Sequence, residues 1–379
     1  MTSITVSGRL LLGSELVPGS VRLAGNEIVD VQRTSGEIPD ADLTADIVAP
    51  GLIDLQVNGG HGVEVGADPA AIQHLATWLP STGVTAFLPT LITSPASVYP
   101  DVFSAIRAAR STGGACPLGL HLEGPFLSPL RHGAHRVDLI EAADNALFDL
   151  MLAAPEVRLV TLAPERAGAV DRIRRLRERG ITVSLGHTDA TYEQLVAGID
   201  AGATMVTHLF NAMSPFAHRA PGVIGAALVD DRVAVGLIPD GIHSHPASVQ
   251  LAVRAKGPER IALVSDMMPA AGMPPGQYQF GGQTVTVDSV SARLADGTLA
   301  GSIVTMDQAI RNMVRWTDAT PAEAIRMASE IPARLIGRPD LGTMQPGNSA
   351  DLTLFHDNLT VQATIIQGCI AFDSRDRRG

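Results

Sequence analysis

Eight short apolar runs recur through the middle of the chain, and most are followed by a stretch with helical spacing. The runs are LIDLQV (52–57), VTAFLP (84–89), LGLHLE (118–123), VRLVTL (157–162), ITVSLG (181–186), TMVTHL (204–209), VAVGLI (233–238) and IALVSD (261–266). Apolar runs of this length read as candidate strands. In AAIQHLATWL, Ile72, Leu75, Ala76 and Leu79 fall on one face of a helix. AVDRIRRLRER and TYEQLVAGIDAG read the same way, and Gly180 after the basic end of the former predicts a helix stop. Eight strand–helix alternations predict parallel strands joined by helical crossovers, which can close into a TIM-type (β/α)8 barrel. A doubly wound open sheet is the competing α/β arrangement, since strand count alone does not impose closure.

The two ends follow a different pattern. ITVSGRLLLG and VRLAGNEIVDVQ near the start, and ADLTLF and QATIIQGCIAF near the end, alternate apolar and polar positions between glycine-containing turns. The expected organisation is therefore a barrel over 49–335 and one small β-sandwich domain assembled from 1–48 and 336–379.

Composition narrows the classes. With 379 residues, 45% of them hydrophobic, the chain can bury a large core and does not read as disordered. A formal charge of −11 argues against nucleic acid or an anionic membrane as partner. It also means that an anionic ligand would need a locally basic pocket. Cys116 and Cys369 are the only cysteines, too few for a disulfide framework. The N-terminal stretch lacks a basic start followed by an apolar run, and no apolar stretch reaches membrane-spanning length. A soluble cytoplasmic protein is the expectation.

The chemistry-bearing residues collect at the C-terminal ends of the predicted strands. Glu123 ends the third run, His187 follows the fifth, His208 lies near the end of the sixth, and Asp266 ends the eighth. In a parallel barrel these ends share one face, where catalytic groups meet. One Glu and two His suit a borderline divalent ion such as zinc, with a position left for water. A lone His at a strand end is more often a hydrogen-bonded structural residue, but three candidate ligands on three strands of one barrel, with an Asp on a fourth, reverse that preference. Asp266 can exchange protons with water and with a leaving amine, orient a ligand histidine, or cap the segment that follows. The Pro, Ala and Gly of MMPAAG indicate a loop there, which weakens the capping reading.

A series of motifs runs through these positions. It comprises PGLIDLQVNGGHG (50–62), GVTAFLPT (83–90), HLEGPFLSP (121–129), GAH (133–135), GHTDA (186–190), THLFNAMSP (207–215), DGIH (240–243), SDMMPAAG (265–272), LAGS (299–302) and PGNSADL (346–352). In this order they resemble the N-acetylglucosamine-6-phosphate deacetylase family of the amidohydrolase superfamily, over nearly the whole chain. The resemblance implies one divalent metal ion per subunit on Glu123, His187 and His208, with Zn2+ foremost and Fe2+ or another divalent ion as alternatives. Asp266 would be the general base and acid, and Ala134 and His135 would contact substrate near the scissile amide. Asn211 and Ala212 would bind the sugar phosphate, Arg219 and His243 the phosphate across a homodimer interface, and Leu299, Ala300 and Gly301 would close over the sugar.

The superfamily often carries His-x-His on its first strand for a second metal. Here the place holds Gln56-Val57-Asn58, and neutral amides are poor zinc ligands. A single tightly bound ion is expected, with His61 read as a loop residue. The implied reaction is hydrolysis of an acetamide to an amino-sugar phosphate and acetate. Alternatives are a related substrate, such as N-acetylgalactosamine 6-phosphate or an N-acyl amino acid, and a non-catalytic binding protein on the same fold.

Overall fold

Strands Leu52–Val57, Val84–Ile92, Leu120–Glu123, Val157–Leu162, Thr182–Leu185, Met205–Val206, Ala234–Leu237 and Ile261–Leu263 pair in parallel, in chain order. The structure, a computed structural model, describes residues 3–34, 41–109 and 113–377. The outermost positions of the expected terminal segments, and 35–40 within the first, lie outside the described residues. All eight expected strands are present, and several end earlier than the apolar run did because the last residues turn into the pocket. Closure between first and eighth strands comes from a parallel bridge, Val57 to Met267, and from the Asn58 amide donating to the Met267 carbonyl at 2.9 Å. The (β/α)8 barrel thus prevails over the open sheet.

Each barrel strand is buried along nearly its whole length, which is why the strands read as apolar runs rather than alternations. The crossover helices present one buried face. In Pro69–Trp78 this is Ala71, Ile72, Leu75 and Ala76, and Asp68 caps the first turn. Gly180 adopts φ +73, and the helix Ala169–Glu178 stops there. Helix Gly222–Val229 ends against Lys256, the only lysine of the chain. Its buried Nζ donates to the Ala227 and Asp230 carbonyls at 2.7 and 2.5 Å, supplying donors and positive charge where a helix leaves carbonyls unpaired.

Both ends of the chain build one seven-stranded sheet. Leu43–Pro50 joins Ser3–Leu12 in parallel and Leu352–Phe355 antiparallel, so the C-terminal strands extend the N-terminal ones.

One element lies outside the expected plan. Gly276–Phe280, Gln283–Val287 and Ala292–Arg293 form a small antiparallel sheet. Phe280, Val285 and Val287 share a separate buried cluster with Met268, Ala270 and Ala300. Gln283 Nε2 donates to the Ala134 carbonyl at 2.8 Å, tying this flap to the GAH loop at the barrel mouth.

Candidate active site

The strand ends turn sharply where the chemistry begins. His187, His208 and Asp266 have φ of +47°, +26° and +50°, a region that residues with a Cβ seldom enter and that concentrates at functional sites. Each turn carries the side chain away from the strand's alternation and into the mouth of the barrel. Glu123 remains within its strand, in register with Ile92 and Thr161 of its neighbours.

Three donor atoms converge there. His187 Nε2 and His208 Nε2 are 3.0 Å apart, and they lie 3.2 and 3.1 Å from Glu123 Oε1. One proton between the two nitrogens satisfies one edge of this triangle, whereas a divalent cation satisfies all three. Nitrogen and oxygen donors of this kind fit zinc or a similar ion. His187 Nδ1 donates to the Arg131 carbonyl at 3.0 Å, which leaves the Nε2 lone pair free to bind. Burial alone would raise the Glu123 carboxyl, but its bonds to His187 and His208 outweigh burial and hold it well below the usual carboxylate range.

His135 also approaches the cluster: Glu123, His135 and His187 can bring ligand atoms within 4.8 Å of one another. Its tautomer points to a different capability. His135 Nδ1 accepts from the Thr93 amide at 3.2 Å, so in the neutral ring Nε2 carries the proton. Burial pushes this imidazole down to about 3, which keeps it neutral. Its Nε2, 3.7 Å from Glu123 Oε2, is therefore a donor at the pocket wall rather than a lone pair. Below the cluster, His121 is pushed down to about 4 by burial. It bonds Thr161 Oγ1 at 2.8 Å, which meets Thr207 Oγ1 at 2.8 Å, forming a neutral polar floor.

Among the described residues, the side-chain bonds to Asp266 fall on one oxygen. Its Oδ1 accepts from Gln56 Nε2 at 2.9 Å and from Asn58 Nδ2 at 2.7 Å, and Gln56 Nε2 also donates to Glu123 Oε1 at 2.9 Å. Burial and the Glu123 charge push the Asp266 carboxyl above the ordinary range. The amides of Gln56 and Asn58 thus act as donors to carboxylates. The geometry that would make them metal ligands requires their oxygens instead.

These groups line a cavity of about 340 Å³, within the usual range for small-molecule sites. Glu123, Ala134, His135, His187, His208, Asn211, Ala212, His243, Asp266, Leu299 and Gly301 all face it. Asn211 Nδ2 donates to the His208 and Leu209 carbonyls, and His243 Nδ1 pairs with Asp240 at 2.6 Å. Two expected residues stand apart. Ala300 is fully buried in the flap cluster, so its side chain supports the wall. Arg219 is exposed and borders an adjoining hollow with Arg131 and Asp189. His61 lies outside the cavity, stacked on His74 and Trp78.

Several lining residues escaped the sequence reading. Arg131 borders both hollows and bonds Asp189 at 2.8 Å. Phe280, Arg293 and Thr298 come from the flap and its exit loop. A signal for the flap was available: Gly281 and Gly282, at φ +59 and +72, join YQF to QTVTV, and a Gly-Gly pair between alternating segments marks a tight hairpin.

Comparison with known proteins places this geometry among relatives. The profile of the amidohydrolase family matches residues 47–371. An N-acetylgalactosamine-6-phosphate deacetylase of Escherichia coli O157:H7 is 39% identical over 98% of this chain and 100% of its own length. An N-acetylglucosamine-6-phosphate deacetylase of Bacillus subtilis is 41% identical over 87% of this chain and 86% of its own. Among solved structures, a mutant N-acetyl-D-glucosamine-6-phosphate deacetylase of Mycobacterium smegmatis in complex with N-acetyl-D-glucosamine-6-phosphate superposes with a TM-score of 0.90. It is 35% identical and covers 98% of this chain and 100% of that one.

Proposed function

The chain belongs to the amidohydrolase family, and from that premise we propose that it is a metal-dependent hydrolase that removes the acetyl group from N-acetylglucosamine 6-phosphate. The products are glucosamine 6-phosphate and acetate. The observation that carries this reading is the triangle of Glu123 Oε1, His187 Nε2 and His208 Nε2 at 3.0–3.2 Å, set beside a carboxylate pinned on one oxygen.

In this reading Glu123, His187 and His208 hold one divalent ion, and the mixed nitrogen–oxygen set favours Zn2+ over harder ions. When bound, such an ion acidifies water and polarises a carbonyl. Asp266 performs the proton traffic. Its Oδ1 is engaged by Gln56 and Asn58, so Oδ2 takes the proton of the attacking water and returns it to the sugar nitrogen as the C–N bond breaks. The raised Asp266 carboxyl suits a group that must both accept and release a proton. His135 Nε2–H donates to the acyl oxygen as negative charge develops there.

Asn211 and Ala212 bind the sugar phosphate, and Leu299, Ala300 and Gly301 close over the sugar, Ala300 through its backbone. His243 and Arg219 take the phosphate, and the placement of Arg219 outside its own chain's cavity favours a homodimer in which it serves the neighbouring site. Anchoring the phosphate there lets remote binding energy orient the amide. The barrel spans 49–335 and the terminal segments 1–48 and 336–379 form the companion domain. A cytoplasmic location fits a chain in which no helix of the described residues is long and apolar enough to cross a membrane.

One relative favours a second reading, since the E. coli galactosamine enzyme aligns along its full length. Acetate release from N-acetylglucosamine and N-acetylgalactosamine, each with and without 6-phosphate, tests both. Turnover of the phosphorylated gluco-epimer above all others is expected. Preference for the galacto-epimer would transfer the assignment, and no release from any of the four would overturn it.

A further inference from the structure

The buried amide of Asn58 has one half accounted for and one half free. Asn58 is 1% exposed and lines the cavity. Its backbone is tied on both sides, N–H to the Met267 carbonyl at 2.9 Å and C=O from the Val65 amide at 2.9 Å, so the main chain is anchored at the site. Nδ2 donates to Asp266 Oδ1, while Oδ1 has no hydrogen-bond partner among the described residues. The amide cannot be turned round without setting two acceptors against each other. The free atom is thus an oxygen, fixed in direction by Asp266. A buried acceptor without a partner is costly and uncommon in folded proteins.

We propose that Asn58 is a substrate-binding residue whose Oδ1 accepts the N–H of the scissile acetamide. The inference rests on the deacetylase reading given above. A secondary acetamide carries a single N–H, and its nitrogen must approach Asp266 to be protonated. Asn58 flanks Asp266 on the Oδ1 side, and the proton-carrying Oδ2 lies on the other branch of the same carboxyl. As water adds to the acyl carbon, the nitrogen loses its conjugation and gains a lone pair. A hydrogen bond from its N–H to Asn58 fixes which way that lone pair emerges, and the shared anchoring of Asn58 and Asp266 aims it at Oδ2. The proton moves from Oδ2 to nitrogen, the C–N bond breaks, and the electron pair stays with the amine. One side chain then positions the acid and reads the group that the acid serves. The arrangement also predicts discrimination, because an ester of the same shape has no N–H to offer.

The experiment compares acetate release from N-acetylglucosamine 6-phosphate and from 2-O-acetylglucose 6-phosphate by wild type, Asn58→Leu and Asn58→Asp, with metal content and melting temperature measured on each. The Leu variant removes both functions, so kcat/KM should fall for both substrates. The amide should fall about tenfold further, the scale of one hydrogen bond in a buried site. The Asp variant keeps an acceptor, so the ratio of amide to ester should stay near wild type although both rates drop. Equal losses for the two substrates in a folded, metal-replete Leu variant would overturn the proposal and leave Asn58 as a positioning residue for Asp266. If the Leu variant does not fold, Asn58→Ala is judged by the same criterion: a further loss confined to the amide supports the N–H contact, and equal losses overturn it. A wild type inactive on the amide would instead overturn the functional reading.

Discussion

His187 reaches the Arg131 carbonyl with its Nδ1, 3.0 Å away, and this bond sets what the opposite nitrogen can do. With the proton held on Nδ1, Nε2 offers a lone pair to the point where Glu123 and His208 also converge. Arg131 is therefore joined to the centre through its backbone, while its guanidinium faces the neighbouring hollow and pairs with Asp189.

One divalent ion per chain is the expected stoichiometry. Gln56 and Asn58 stand at the end of the first strand, and both spend their N–H groups on carboxylates. Elemental analysis after dialysis should give close to one equivalent. Two reproducible equivalents at the strand ends would sink the mononuclear reading.

Asp266→Asn keeps the size of the side chain and removes its ability to carry a proton. Turnover should fall by at least about 10²-fold, the lower range for general acid–base catalysis, with metal content near wild type. Normal turnover would exclude Asp266 as proton carrier, and loss of metal would recast it as a ligand.

Arg219→Ala should weaken use of the phosphorylated sugar and leave its unphosphorylated analogue nearly unchanged. A charge-assisted contact contributes roughly 1.5–3 kcal/mol, so kcat/KM should drop about ten- to a hundred-fold. Mixing Arg219→Ala chains with Asp266→Asn chains should restore some activity if the arginine is donated to a neighbouring subunit. The absence of recovery in verified mixed dimers would assign it to its own site.

Asp54 gives a pH signature. Burial pushes its carboxyl from 3.8 up to about 7, although its Oδ1 accepts from the Gln56 and Ser265 amides. Between these values the folded chain keeps a proton that the unfolded chain has released. The stability this proton confers is complete below the lower value and is lost as pH rises through the upper one. Asp54→Asn cannot ionise. Relative to wild type it should gain stability with rising pH across that window, by up to about 1.4 kcal/mol per pH unit, and by nothing further above it. Urea unfolding across that pH range measures this, and parallel curves for the two proteins would rule it out.

The barrel was legible because its strands are buried on both faces and end in polar residues that have no place in a core. Glu123, His187, His208 and Asp266 stood out for that reason. What the sequence could not convey was the use made of neutral side chains. Gln56 and Asn58 read as a missing metal pair, and only their distances to Glu123 and Asp266 give them a role. The flap was missed because half of each strand faces outward and because the stretch after the last barrel strand read as a loop. Arg131 and Arg293 carry no local signature, as their place at the pocket depends on loops brought together from distant parts of the chain.

Lys256, buried against the end of helix Gly222–Val229, gives the molecule a built-in reporter. Every other basic side chain apart from histidine is an arginine, so a protease that cuts after lysine has one target bond, Lys256–Gly257. In the folded chain that lysine is 3% exposed and engaged with two carbonyls. Two fragments, divided at that point, would appear only when this edge of the barrel opens. The rate of their appearance under increasing denaturant would report local opening without any introduced label.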